Sequence, residues 1–137
     1  MFEHFIAAQG PIYAEVLAEL RAGRKTTHWM WFIFPQLRAL GRSATARRFG
    51  IADVEEARAY LAHPVLGPRL VACTETVNGV GGRTAHEIFS SPDDLKFRSS
   101  MTLFGHVAPG EPMFAAALAK YFGGTADDRT LKLLAAQ

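Results

Sequence analysis

The sequence predicts a mainly α fold, folded as one compact helical domain over residues 1–137. Apolar residues recur at helical spacing in several segments, prolines and glycines fall where helices begin and end, and no segment alternates apolar and polar residues as a strand does. A chain of this length suits one hydrophobic core, which serves roughly 100–200 residues.

The elements follow in order. Pro11 with Ile12, Val16, Leu17 and Leu20 predicts an amphipathic helix closed by Gly23. The run from Thr27 to Gln36 has no clean period, and its aromatic and β-branched content fits either a buried strand or a buried helix ending at Pro35. Asp53 and Glu56 cap a helix carrying Ala57, Tyr60 and Leu61, which stops at His63-Pro64 because a residue before proline avoids the helical region. A further helix is expected from Val65 to about Val77, ending at Asn78-Gly79 in a left-handed turn. Gly79 to Gly82 is too short for a linker and reads as a loop. Ser91-Pro92-Asp93-Asp94 reads as an N-cap, a first-turn proline and two acids, placing Leu95, Met101 and Phe104 near one face. Pro112 opens a helix with Phe114, Leu118, Tyr121 and Phe122, stopped by Gly123-Gly124. Asp127 or Asp128 caps a last one with Leu131 and Leu134. A small strand component near Ile33 or Val107 stays open.

Composition narrows the setting. Hydrophobic residues make up 49% and charged residues 20% of the chain, a balance that argues against disorder. The apolar run Trp29 to Pro35 is far shorter than the ~20 residues a membrane helix needs, and Met1 to His4 lacks the pattern of a secretory signal. Cys73 is the single cysteine, so it forms no internal disulfide and reads as a small buried residue; a reduced cytoplasmic setting is expected. The net charge of +2 does not by itself imply nucleic acid. Its distribution is uneven: Arg21, Arg24, Lys25, Arg38, Arg42, Arg47 and Arg48 lie in a stretch without acids, a local positive field suited to phosphate or another anion.

Two segments are candidates for chemistry. In Thr27 to Gln36, Trp29 and Trp31 can wall a pocket for a flat ring, with His28 and Gln36 at its polar edges; the alternative is that the aromatic residues are simply core. In Asp93 to Phe104, a helix brings Lys96, Ser99 and Ser100 near one another, so an ammonium and two hydroxyls converge on one anionic partner. Arg98 joins this set, unless it pairs with Asp94 one turn earlier on a solvated face. Gly79 to Arg83 matches neither the phosphate loop nor the dinucleotide fingerprint, and the five histidines lack zinc spacing. No metal site and no cofactor are expected.

The expected site therefore lies between the two segments and takes a small anionic or nucleotide-like molecule. His28 and Lys96 are the catalytic candidates, with Trp29, Trp31, Gln36, Arg42, Arg98, Ser99 and Ser100 binding the ligand. A protein-interaction module using the aromatic run as an exposed patch is the alternative, and it requires accessible indoles. RNA binding would need the basic and aromatic groups on one surface.

The His28–Gln36 run and Lys96–Phe104 also carry a resemblance. With Phe5 to Gln9, Tyr60 to Pro64, Leu66 to Leu70, Ile88-Phe89 and Gly124 to Leu134, they resemble the largely bacterial family DUF1810, whose function is not settled. Its occasional label, calpastatin, implies a disordered repeat inhibitor, which a compact repeat-free sequence does not match. The order of elements is more distantly similar to the NADAR family, named for NAD and ADP-ribose. That likeness implies a hydrolase acting on ADP-ribose-linked or other nucleotide-like compounds and reaches only His28, Trp29 and Lys96. Thr27 stands where that family places a glutamate, so the acid for glycosidic chemistry is absent there.

Overall fold

A computed structural model describes all residues, 1–137. Ten helices follow one another: α1 (Glu3–Gln9), α2 (Tyr13–Arg21), α3 (Met30–Ile33), α4 (Ala44–Arg48), α5 (Val54–Ala62), α6 (Leu66–Asn78), α7 (Ala85–Phe89), α8 (Asp93–Val107), α9 (Pro112–Phe122) and α10 (Asp128–Ala135). A 3-10 turn at Arg38–Leu40 joins α3 to α4. No strand forms, and Ile33 and Val107 both end helices. Extended backbone pairs only at an isolated parallel bridge, Leu37 with Ile51. No helix is long and apolar enough to cross a membrane.

The fold is organised around α8, which packs against α3, α5, α7, α9 and α10. Every residue from Ser99 to Phe104 is buried, so this helix is enclosed on all sides rather than presenting one apolar stripe. Its Phe97 ring stacks on Phe89 at 4.7 Å between centroids and meets Phe34 edge-on at 5.0 Å, the offset and T-shaped geometries that ring quadrupoles favour. One cluster of 28 buried apolar residues runs through the molecule, giving a single core.

Several boundaries follow from local chemistry. Asp53 accepts from the Glu56 N–H and Asp127 from the Thr130 N–H, each satisfying a donor that the helix leaves unpaired. Gly123 ends α9 in the left-handed conformation. Gly67 is required for another reason: a Cβ there would sit 2.0 Å from the Leu61 carbonyl oxygen, where α5 and α6 meet.

Other expectations are corrected. Gly79 has φ −79°, so α6 ends right-handed, and the left-handed glycine of that loop is Gly82, at φ +70°. Ser91 does not cap α8; its hydroxyl donates to Asp94 Oδ1 at 3.0 Å instead. On α8, Leu95 is exposed while Met101 and Phe104 are buried, because this helix enters the core only after its first turn; on α10, Leu131 is exposed and Leu134 buried.

Cys73 is buried in α6, and burial pushes its thiol up to about 12, which withholds the reactive thiolate. A thiol reagent at pH 8 is therefore expected to modify the native protein far more slowly than the denatured chain, which should take up one equivalent.

Candidate functional site

The site is built from the loop after α2, helix α3 and the first two turns of α8. Glu19 organises the loop. It is 8% exposed on α2 and accepts from the Thr26 N–H at 2.7 Å, the Thr27 N–H at 3.2 Å, Thr27 Oγ1 at 2.7 Å and Trp29 Nε1 at 3.0 Å. Burial alone would raise this carboxyl; the donated hydrogen bonds outweigh it and hold the pKa at about 2. On the other side of the loop, buried Gln9 donates to the Phe32 carbonyl at 2.6 Å and to Tyr60 Oη at 3.0 Å. The short helix α3 is thus pinned from two directions, which fixes Trp31 between them.

This arrangement divides the two tryptophans. Trp29 is 0% exposed, so the ligand-stacking role expected of it is corrected: its ring is core and its N–H serves Glu19. Trp31 is half-buried on the cleft. The exposed aromatic patch that an interaction module requires is not present, since Phe34 is buried and Phe32 is half-buried as well.

Around Trp31 the charged groups form a chain. Lys96 Nζ lies 4.8 Å over the Trp31 ring and 3.2 Å from Asp93 Oδ1. Lys25 Nζ lies 5.0 Å over the Trp29 ring, 3.0 Å from Asp93 Oδ2 and 2.6 Å from the Thr27 carbonyl. One carboxylate therefore bridges two ammonium groups, each seated on an indole face, and the trio keeps one net positive charge.

Three cavities meet at Lys96. The first, about 340 Å³, lies on the side of His28, Thr26, Ser90 and Ser91. The second, about 360 Å³, is lined by Gln36, Arg98, Ser99 and Arg129, and the third, about 320 Å³, by Trp31, Gln36, Arg42 and Ser43. Segments far apart in the sequence thus line one trough of adjoining cavities around Lys96.

The remaining candidates fall into two groups. His28, Gln36 and Arg42 face the trough, and their side chains have no hydrogen-bond or ion-pair partner within the protein. Ser99 also lines it, its Oγ donating to the Leu95 carbonyl at 3.1 Å. Arg98 is committed elsewhere: Nε donates to the Thr125 carbonyl at 2.9 Å and an NH2 group to the Ala126 carbonyl at 3.0 Å. It holds the α9–α10 connection, and Asp94, its expected partner, takes Ser91 instead. Ser100 is corrected outright, being sealed at 0% exposure with an unpartnered hydroxyl and lining none of these cavities. Ser99 and Ser100 lie on either side of Lys96, turned about 60° one way and about 40° the other; the Ser100 side of α8 is sealed by its neighbours while the Ser99 side borders the second cavity. Arg98→Ala is expected to lower stability by about 1–2 kcal/mol, as two carbonyls lose a charged donor; denaturant unfolding checks this.

Sequence reasoning missed Glu19, Lys25, Ser90, Asp93 and Arg129 as site residues. Asp93 looked like an ordinary first-turn acid, and Glu19 carried no signal because its partners are set by the returning loop. Thr84 was legible and overlooked: with Glu87 it makes a complete capping box that starts α7, and α7 delivers Ser90 to the first cavity.

Comparison with known proteins places this architecture. The crystal structure of a conserved hypothetical protein from Mycobacterium tuberculosis is similar at a TM-score of 0.96 and 58% sequence identity, covering 97% of this chain and 95% of that one. Among curated proteins none matches. The family model described as "Protein of unknown function (DUF1810)" matches residues 1–134. Since that match takes in the loop of Glu19, the aromatic run and all of α8, the chain belongs to the DUF1810 family.

Proposed function

We propose that this protein binds, and processes, a small phosphorylated or nucleotide-like molecule in the trough around Trp31 and Lys96, ADP-ribose-linked compounds among them. The observation that carries the reading is the Lys96 ammonium, seated on Trp31 where three cavities meet. Arg42 and Arg129 flank it without any anionic partner of their own. Two unpaired guanidinium groups and an ammonium around a concave polar surface attract phosphate by charge and by geometry. Trp31 adds an aromatic wall for a ring, and His28, whose imidazole borders the first cavity, is the group that transfers a proton in this reading. ADP-ribose enters from the resemblance of the His28, Trp29 and Lys96 segments, and its anionic diphosphate suits these groups. A buried lone cysteine supports a reducing cytoplasmic setting.

Calorimetric titration with ADP-ribose, NAD and nucleotides at low salt tests the reading. Heat from at least one of them, weakening as salt is raised, is expected. No heat from any of them with well-folded protein overturns it.

A further inference from the structure

The first cavity differs in chemistry from the other two, and Ser90 is the reason to look at it closely. Ser90 has φ 61° and ψ 177°. It is the only residue other than glycine with a positive φ. This corner of backbone space is essentially reserved for glycine, and a side chain there costs of order 1–3 kcal/mol. Glycine is the usual and cheapest solution where a helix such as α7 ends with positive φ, so a serine held there signals a use for its side chain. The hydroxyl is exposed, has no hydrogen-bond partner in the protein and borders the cavity. Thr26 and His28 line the same space, and their side chains have no hydrogen-bond partner in the protein either.

The charges sort what this cavity will accept. Its ions, Lys25, Asp93 and Lys96, are already joined to one another. Asp93, its charge offset by the two lysines, offers carboxylate oxygens that accept hydrogen bonds from hydroxyls. The unpaired cations, Arg42 and Arg129, lie on the far side of Lys96. Positive charge is greater there, where Arg42, Arg98 and Arg129 outnumber Asp127, and hydroxyl-binding groups gather here.

Resting on the anion site proposed above, we propose that Ser90 is a ligand-contacting residue. In the first cavity it receives, with Thr26, His28 and Asp93, the hydroxylated end of a sugar phosphate whose phosphate lies across Lys96. The ligand class is then phosphorylated sugars, nucleotides included, rather than simple anions.

The test compares ribose 5-phosphate with inorganic phosphate by calorimetry on the wild type, Ser90→Ala and Ser90→Gly, with a thermal melt of each. The wild type is expected to bind ribose 5-phosphate about tenfold tighter than phosphate. Both variants should lose most of that advantage while keeping the phosphate affinity, a hydrogen bond being worth about fivefold. Ser90→Gly should also melt about 3 °C higher than Ser90→Ala, since only glycine relieves the backbone. If the wild type binds phosphate with no gain from the sugar, or the variants keep the gain, the inference is overturned and the anion site stands. If Ser90→Gly melts no higher than Ser90→Ala, Ser90 holds no strain for its side chain to justify, and the inference is likewise overturned. If neither compound binds, the anion site fails, and this inference with it.

Discussion

Glu19→Ala is expected to destabilise the protein by about 4 kcal/mol. The carboxylate accepts from two backbone N–H groups, one hydroxyl and one indole N–H, and its removal leaves the fully buried Trp29 N–H with nothing to bond. Each buried donor left unsatisfied costs about 1–3 kcal/mol, and the vacated space adds to this. The same group sets an acid limit. Its folded pKa of about 2 lies below its ordinary 4.5, so the stabilisation is fully present above pH 4.5 and is lost as pH falls from 4.5 to 2. The shift corresponds to about 3 kcal/mol. Urea unfolding of wild type and Glu19→Gln between pH 2 and 7 checks both statements: the wild type should lose stability across that window and the glutamine variant should show much less of the change. A wild-type profile as flat as that of Glu19→Gln would refute the assignment.

Lys96→Met should abolish most ligand affinity while leaving the fold nearly unchanged. Methionine keeps an unbranched apolar stem to lie on Trp31, and Asp93 retains Lys25 as its partner at 3.0 Å. What disappears is the ammonium at the meeting point of the three cavities. A charge-assisted hydrogen bond contributes about 1.5–3 kcal/mol, and long-range attraction for phosphate adds to it. The expected loss is about 100-fold in affinity for whichever of ADP-ribose, NAD or a nucleotide gives heat with the wild type. A melting temperature within about 3 °C of wild type would show that the variant is folded. Unchanged affinity in such a variant would remove the central element of the proposed site.

The helices that the sequence announces are those whose caps lie within their own segment. Asp53 before α5, Asp127 before α10, Pro112 and Gly123 around α9 each act on backbone groups a few residues away, so reading them needs no tertiary context. The expectations that failed depended on neighbours. Leu95 has the spacing of a core residue and is exposed, because nothing packs against the first turn of α8 on that side. The run from Thr27 to Gln36 is helical for only four residues; its conformation is dictated from outside, by Glu19 on α2 and Gln9 on α1, and no local period exists to be read.

The candidate site shows the same division. His28, Trp31, Gln36, Lys96 and Ser99 stood out in sequence because aromatic, cationic and hydroxyl groups clustered in two short segments are unusual, and Arg42 because it lies in a basic stretch without acids; the structure places all six on the trough. They come together because the fold lays α3 beside α8. Trp29 and Ser100 could not be told from their neighbours by spacing, because which side of a short helix or an enclosed one meets solvent is set by what packs around it.

By itself the sequence determined a mainly α domain, most of its helix ends, its family and the two segments from which the proposed site is drawn. Only the tertiary structure decided which indole is core and which is wall, that one aspartate bridges two lysines, and that a serine occupies a glycine's backbone. Caps and periodicity act over one or two helical turns and are written into consecutive residues. A shared carboxylate or a cavity joins residues brought together by packing, and its chemistry exists only once the chain has closed on itself.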